Sequence, residues 1–286
     1  MTPEQQGKVA AEEFRARHNL GSRALHDLVF IIEQTTEHEV AVLDVEDADE
    51  HGLTMWDPKR RVAFIGVART RNPMRQRSAL AHELAHVVFA DWSNGSSEEL
   101  SARTPQEIRA DAFARHLLIP AKGLVNLLGE PGAKLTEADL SAVVQQFLVS
   151  PAVAAIALCN GGYIPSSTKD AWMKMTTRML ATRFGWSDQY RMLQHDADQT
   201  RVPQRLLSRA ITGYKAGIIP VQAIAVLRGV PEEEVVADLE EAGIVAENAD
   251  ARWMDSDELP SVDINLADLD DILGPESLDH KGSDAG

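Results

Sequence analysis

Residues 78–90 read Ser-Ala-Leu-Ala-His82-Glu83-Leu84-Ala85-His86-Val-Val-Phe-Ala. On an α-helix, two residues four apart are rotated by only about 40° from each other, so His82 and His86 can offer imidazole nitrogens to one common point. A glutamate directly after the first histidine completes the metal-ligating pattern His-Glu-x-x-His. Glu83 is turned about 100° from His82. It therefore flanks a metal held by the pair, where a general base has to stand to take a proton from water. Leu80, Ala81, Leu84, Ala85, Val87 and Val88 make the helix apolar around most of its circumference. Two imidazoles without partners would be costly there, and a metal ion satisfies them.

A catalytic zinc takes three protein ligands and keeps one position open. The Gly and His that metzincins place after the histidine pair are absent here, where Phe89 and Trp92 stand. The next predicted helix opens Thr104-Pro105-Gln106-Glu107 and continues Ile108-Arg109-Ala110-Asp111. Glu107 is the candidate third ligand. The same four residues also spell a capping box, in which Glu107 would fold back onto the Thr104 backbone. Glu98 and Glu99 in the intervening loop are the fallback ligands. Asp111 shares a helix face with Glu107 and is the candidate acceptor for the outer N–H of a ligating histidine.

His-Glu-Leu-Ala-His followed by Glu107-Ile-Arg-Ala-Asp111-Ala-Phe113-Ala-Arg-His-Leu-Leu-Ile-Pro120 resembles the ImmA/IrrE family of metallopeptidases. The second motif of that family runs Glu-x-x-Ala-Asn/Asp-x-Phe-Ala-x-x-Leu-Leu-x-Pro. The likeness covers roughly residues 5–165. It implies a zincin-like fold with zinc, or manganese in its place, at His82, His86 and Glu107, and Glu83 as base. It also implies a regulated cytoplasmic endopeptidase that cleaves a helix-turn-helix repressor and so derepresses stress, phage or mobile-element genes. A competing reading of the chain is a non-catalytic zinc-containing regulator, an antitoxin-like module that sequesters a transcription factor.

With 286 residues and 44% hydrophobic content the chain can bury a substantial core. Cys159 is the only cysteine, which excludes an internal disulfide and any Cys-rich zinc site. Met1–Arg15 has no apolar signal-like stretch, and the longest apolar run, near Val153–Cys159, is too short for a bilayer. The expectation is a soluble cytoplasmic protein. Net charge is −16, and residues 247–286 carry twelve Asp/Glu against Arg252 and Lys281. So acidic a chain is a poor general ligand for nucleic acid. Nine Lys/Arg against four Asp over residues 166–217 form a basic exception, read as a solvated face.

Periodicity predicts helices over residues 4–17 and 22–34, a strand at Val40–Val45, and a hairpin of Leu53–Trp56 and Arg61–Val67 turning at Asp57–Arg60. The metal-ligating helix spans about Arg75–Ala90, and a second runs Pro105–Leu118 until Pro120 stops it. Beyond this the pattern is wholly helical. Two stretches, Leu140–Ile164 and Val221–Ile244, look like helix-turn-helix units. Their second helices argue against direct DNA binding: Pro151–Asn160 has no basic residue and Glu232–Glu241 has six acids.

The predicted fold class is α+β, mostly α: a zincin-like domain with a small antiparallel sheet packed on the histidine helix, followed by an all-α region. The predicted domains are 1–132, the metallopeptidase domain; 133–165, a helix-turn-helix-like unit; 166–246, a C-terminal helical domain; and 247–286, an acidic disordered tail. Leu266, Leu269, Ile272 and Leu273 within that tail sit at helical spacing and could fold on a partner. Strand Arg61–Val67 has two readings, one in which it lines the cleft and pairs with an extended substrate, the other in which it simply covers the histidine helix. Tyr163, Tyr190, Tyr214, His116 and His195 are the unranked candidates for the oxyanion donor.

Overall fold

Asp57 Oδ1 accepts the backbone N–H groups of Lys59 at 2.9 Å and Arg60 at 3.1 Å, and Arg61 takes a left-handed φ of 57°, which reverses the chain. The reversal joins β2 (Leu53–Asp57) to β3 (Val62–Ala68). The computed structural model describes residues 1–45, 52–91 and 104–246. Glu98, Glu99 and the acidic tail with its leucine segment lie outside the described residues.

Before the hairpin come α1 (Pro3–Arg17), α2 (Leu28–Thr36) and β1 (Glu39–Leu43). After it come α3 (Pro73–Phe89) and α4 (Pro105–Leu118), then α5 (Ala121–Leu128), α6 (Glu137–Phe147) and α7 (Pro151–Asn160). The remaining helices are α8 (Ser166–Trp172), α9 (Thr177–Arg183), α10 (Ser187–Ala197), α11 (Gln204–Lys215), α12 (Val221–Arg228) and α13 (Glu232–Glu241). The architecture is α+β and mostly α, as the periodicity predicts.

The sheet is mixed where an antiparallel one is expected. Its order is β1-β3-β2, with β3 antiparallel to β2 and parallel to β1. In this direction β1 turns Val40 and Val42 to the same side as Ile65 and Val67 of β3, and all four enter the core with Leu80, Ala81 and Leu84 of α3. As the central strand, β3 has both ladders taken: Phe64–Ala68 pair with β1 and Val62–Gly66 with β2. It cannot accept a substrate strand, so of the two readings from sequence the pairing role is overturned and the covering role stands. β1 is bridged on its other side by Arg201, whose N–H and C=O exchange hydrogen bonds of 2.9 Å with Val42.

The second predicted helix starts at Leu28 and not at residue 22. Two arginines explain the delay. Arg15 takes the carbonyls of Gly21 and Arg23, and Arg77 takes those of Leu25 and His26, so carbonyls that a helix would satisfy internally are bound from outside. Asp27 then caps the new helix by accepting the Phe30 N–H at 3.0 Å.

The main core runs without a break from Ala11 and Phe14 on α1 through α3 and α4 to Trp186 and Tyr190 near the start of α10. A second, smaller core is built by α11–α13 around Ile224, Val235 and Leu239. Helices α6 and α7 meet at 108°. Ala154, Ala155 and Leu158 of α7 are fully buried, so this helix is committed to packing. Among the described residues no single helix is long and apolar enough to cross a membrane.

Candidate metal centre

Helix α3 starts cleanly because Asn72 Oδ1 accepts the Arg75 N–H and Pro73 occupies the first turn, where its missing donor is harmless. Its buried stripe of Met74, Leu80, Ala81, Leu84 and Ala85 fixes how the helix rolls against the sheet. That roll presents His82 and His86 toward α4 and Glu83 toward β2.

His82 Nε2 stands 3.1 Å from His86 Nε2 and 3.0 Å from Glu107 Oε2, and His86 Nε2 stands 3.6 Å from Glu107 Oε1. Ligands at about 2.0–2.1 Å from a tetrahedral zinc are separated by roughly 3.3 Å. The observed separations bracket that value, and the two-imidazole, one-carboxylate donor set suits zinc, so the residues fit a bound ion. Arg109 Nε donates to Asp91 Oδ2 at 3.1 Å while its guanidinium lies 4.5 Å above the Phe89 ring.

The capping-box alternative for Glu107 is half realised. Thr104 Oγ1 accepts the Glu107 backbone N–H at 3.3 Å, while the Glu107 carboxylate turns to the histidines. Asp111 Oδ1 lies 3.0 Å from His82 Nδ1. That contact has the imidazole donate from Nδ1 and turns Nε2 to the cluster, where a metal ion would take the place of the Nε2 proton.

The electrostatics agree with a cation site. Burial alone lowers the pKa of His82, but the hydrogen bonds and charges of Asp111 and Glu107 outweigh it and push the value up to about 10. The hydrogen bond from His82 holds the Glu107 carboxyl below the usual carboxylate range. Without a metal, the cluster holds a proton where a divalent ion would sit.

Glu83 is only 6% exposed. Thr54 Oγ1 on β2 donates to its Oε2 at 2.6 Å. A Cβ on Gly52 would stand 2.4 Å from Glu83 Cγ, so the start of β2 closes over the side chain. Sequence reasoning missed both residues. The available signal was Thr54, a polar residue in the apolar run Leu53–Trp56, which the alternation of the strand turns toward α3.

The five oxyanion candidates are engaged elsewhere or have no contact with the cluster. The Tyr163 hydroxyl donates to Gly129 O at 2.8 Å, Tyr190 packs edge-on against Trp186, and His116 lies 3.6 Å from Glu4. Tyr214 packs in the small C-terminal core, and the His195 carbonyl accepts from the Asp198 backbone N–H and the Gln199 side chain.

A helix bearing two histidines, packed beside a mixed sheet and completed by a carboxylate from the next helix, is the arrangement of a metallopeptidase-type domain. Residues 34–158 match the family model described as the IrrE N-terminal-like domain, Peptidase_M78, which bears out the resemblance to the ImmA/IrrE family read from sequence. The match is shorter than the 5–165 likeness read from sequence and leaves α1 outside it. No curated protein matches the chain.

Proposed function

We propose that the protein is a zinc-dependent endopeptidase, and that its substrate is a helix-turn-helix transcriptional repressor whose cleavage derepresses stress, phage or mobile-element genes. The observation that carries the enzymatic part is the convergence of His82, His86 and Glu107, ligand atoms all within 4.8 Å of one another, beside a restrained Glu83. The repressor substrate rests on the family resemblance. The proposed setting is the cytoplasm, in keeping with a single cysteine.

His82, His86 and Glu107 would hold the ion, zinc or manganese, and Asp111 would fix the orientation of His82. When bound, the ion supplies Lewis-acid chemistry, stabilising charge that develops on oxygen. Glu83 accepts the proton of the attacking water at its carboxylate and returns it to the departing amide nitrogen. Thr54, by holding Oε2, leaves Oε1 as the freer oxygen for that proton. Strand β2, an edge of the sheet among the described residues, is the one that an extended substrate segment would join.

Co-expression with the helix-turn-helix protein encoded nearest to the gene tests this, comparing wild type with Glu83→Gln and sequencing any new N-terminus. A fragment produced by the wild type alone supports the proposal. A fragment produced equally by both excludes Glu83-dependent proteolysis, and a stable complex without a fragment favours the sequestering module.

A further inference from the structure

Helix α4 carries the carboxylates on one side and leans on α1 with the other. Counting about 100° per residue from Glu107, Ala112 and Phe113 fall about 140° and 240° round the helix, so the arc between them lies nearly opposite Glu107 and Asp111. Gly7 of α1 faces that arc. A Cβ there would stand 2.3 Å from the Arg109 carbonyl oxygen, 2.7 Å from Ala112 Cβ and 2.7 Å from the Phe113 backbone nitrogen. Two of these are backbone atoms of a helix and cannot swing aside. Only a shift of one helix against the other makes room.

Helix α1 is held against retreat. Arg15 donates to the carbonyls of Leu117 at 2.8 Å, Gly21 at 2.7 Å and Arg23 at 3.0 Å. Glu4 pairs with Arg115, and Phe14 meets Phe113 edge-on at 6.0 Å. At the N-terminal end of α4, Arg109 is tied to Asp91 just beyond α3. A push on the back of α4 is therefore delivered to Glu107 and Asp111. A metal site tolerates displacements of only a few tenths of an ångström.

We infer that Gly7 is a positioning residue for the metal centre: the close contact of α1 on α4 that its missing side chain permits sets the separation of Glu107 from His82 and His86. α1 lies outside the residues matched to the family, yet it is a working part of the site. The inference rests on the metal reading proposed above.

Zinc itself is the probe, titrated into the metal-stripped full chain in competition with a chromophoric chelator. Gly7→Ala is expected to weaken zinc binding at least tenfold while retaining its far-UV circular dichroism. Gly123→Ala is the control, because its Cβ would meet Ser22 O at 2.7 Å and the Phe147 ring at 3.0 Å, in a different part of the core. It is expected to bind zinc within twofold of wild type. Should Gly7→Ala not fold, Arg15→Lys loosens the same clamp without adding bulk and is expected to weaken binding severalfold. Unchanged affinity in folded Gly7→Ala, or in Arg15→Lys if it has to stand in, overturns the inference, and so does an equal loss in Gly123→Ala. A wild-type protein that holds no zinc overturns the metal reading and this inference together.

Discussion

Thr54 Oγ1 donates a 2.6 Å hydrogen bond to Glu83 Oε2, joining the edge strand of the sheet to the carboxylate proposed as general base. The contact spans 29 residues of sequence and ties β2 to the middle of α3. Because β2 is also the proposed docking edge for substrate, one strand would orient both the peptide and the group that handles its protons.

Thr54→Val removes the donor and keeps the shape. It is expected to lower kcat about tenfold with KM little changed and zinc content intact, as for loss of a partner that orients a reacting group. Thr54→Ser is expected to restore the rate. A Val variant with wild-type kcat would show that the hydrogen bond has no part in turnover.

Asp111→Asn weakens the acceptor that fixes His82. Such an outer partner of a metal-bound histidine is worth about 10–100-fold in metal affinity. The loss is to be read by chelator competition, and an unchanged affinity would assign Asp111 to the surface alone.

The pKa of His82 predicts how pH acts on the metal-free protein. A folded-state value raised from 6.5 to about 10 contributes stability that is complete below pH 6.5 and is lost as pH rises through about 10. Thermal melts of the stripped protein should therefore show Tm falling across that window. The zinc-loaded protein should not follow, because the ion takes the place of the proton. The lowered pKa of Glu107 acts at the other end: its contribution is complete above the ordinary glutamate value of 4.5 and is lost as pH falls through the lower folded-state value. Parallel alkaline profiles for stripped and loaded protein would disprove the exchange of proton for metal.

Arg77 joins three segments through the carbonyls of Leu148 at 3.1 Å, His26 at 2.7 Å and Leu25. Arg77→Leu leaves those acceptors without their donor and is expected to destabilise the protein by about 3 kcal/mol. Urea unfolding of the variant checks the figure, and a loss under 1 kcal/mol would mean that water replaces the guanidinium.

His82, Glu83 and His86 were readable from the chain alone because the relation among them is local: a helix of 3.6 residues per turn puts the first and last on one face whatever surrounds it. The helix boundaries at Pro105 and Pro120 were readable for the same reason, since proline acts on its own turn, while the histidine helix begins at Pro73, two residues before the Arg75 expected. Glu107 stood between two local uses, a cap and a ligand. The packing of α4 beside α3 separated them by bringing its carboxylate to 3.0 Å from His82.

The parallel placement of β1, the central position of β3, the hold of Thr54 and Gly52 on Glu83, and the seat of Gly7 against α4 belong to the tertiary structure. Each joins segments about 25 to 105 residues apart, and periodicity carries no information about which distant surfaces meet. A glycine that makes room for a neighbour looks in sequence like any other glycine. Its role exists only once the neighbour has arrived.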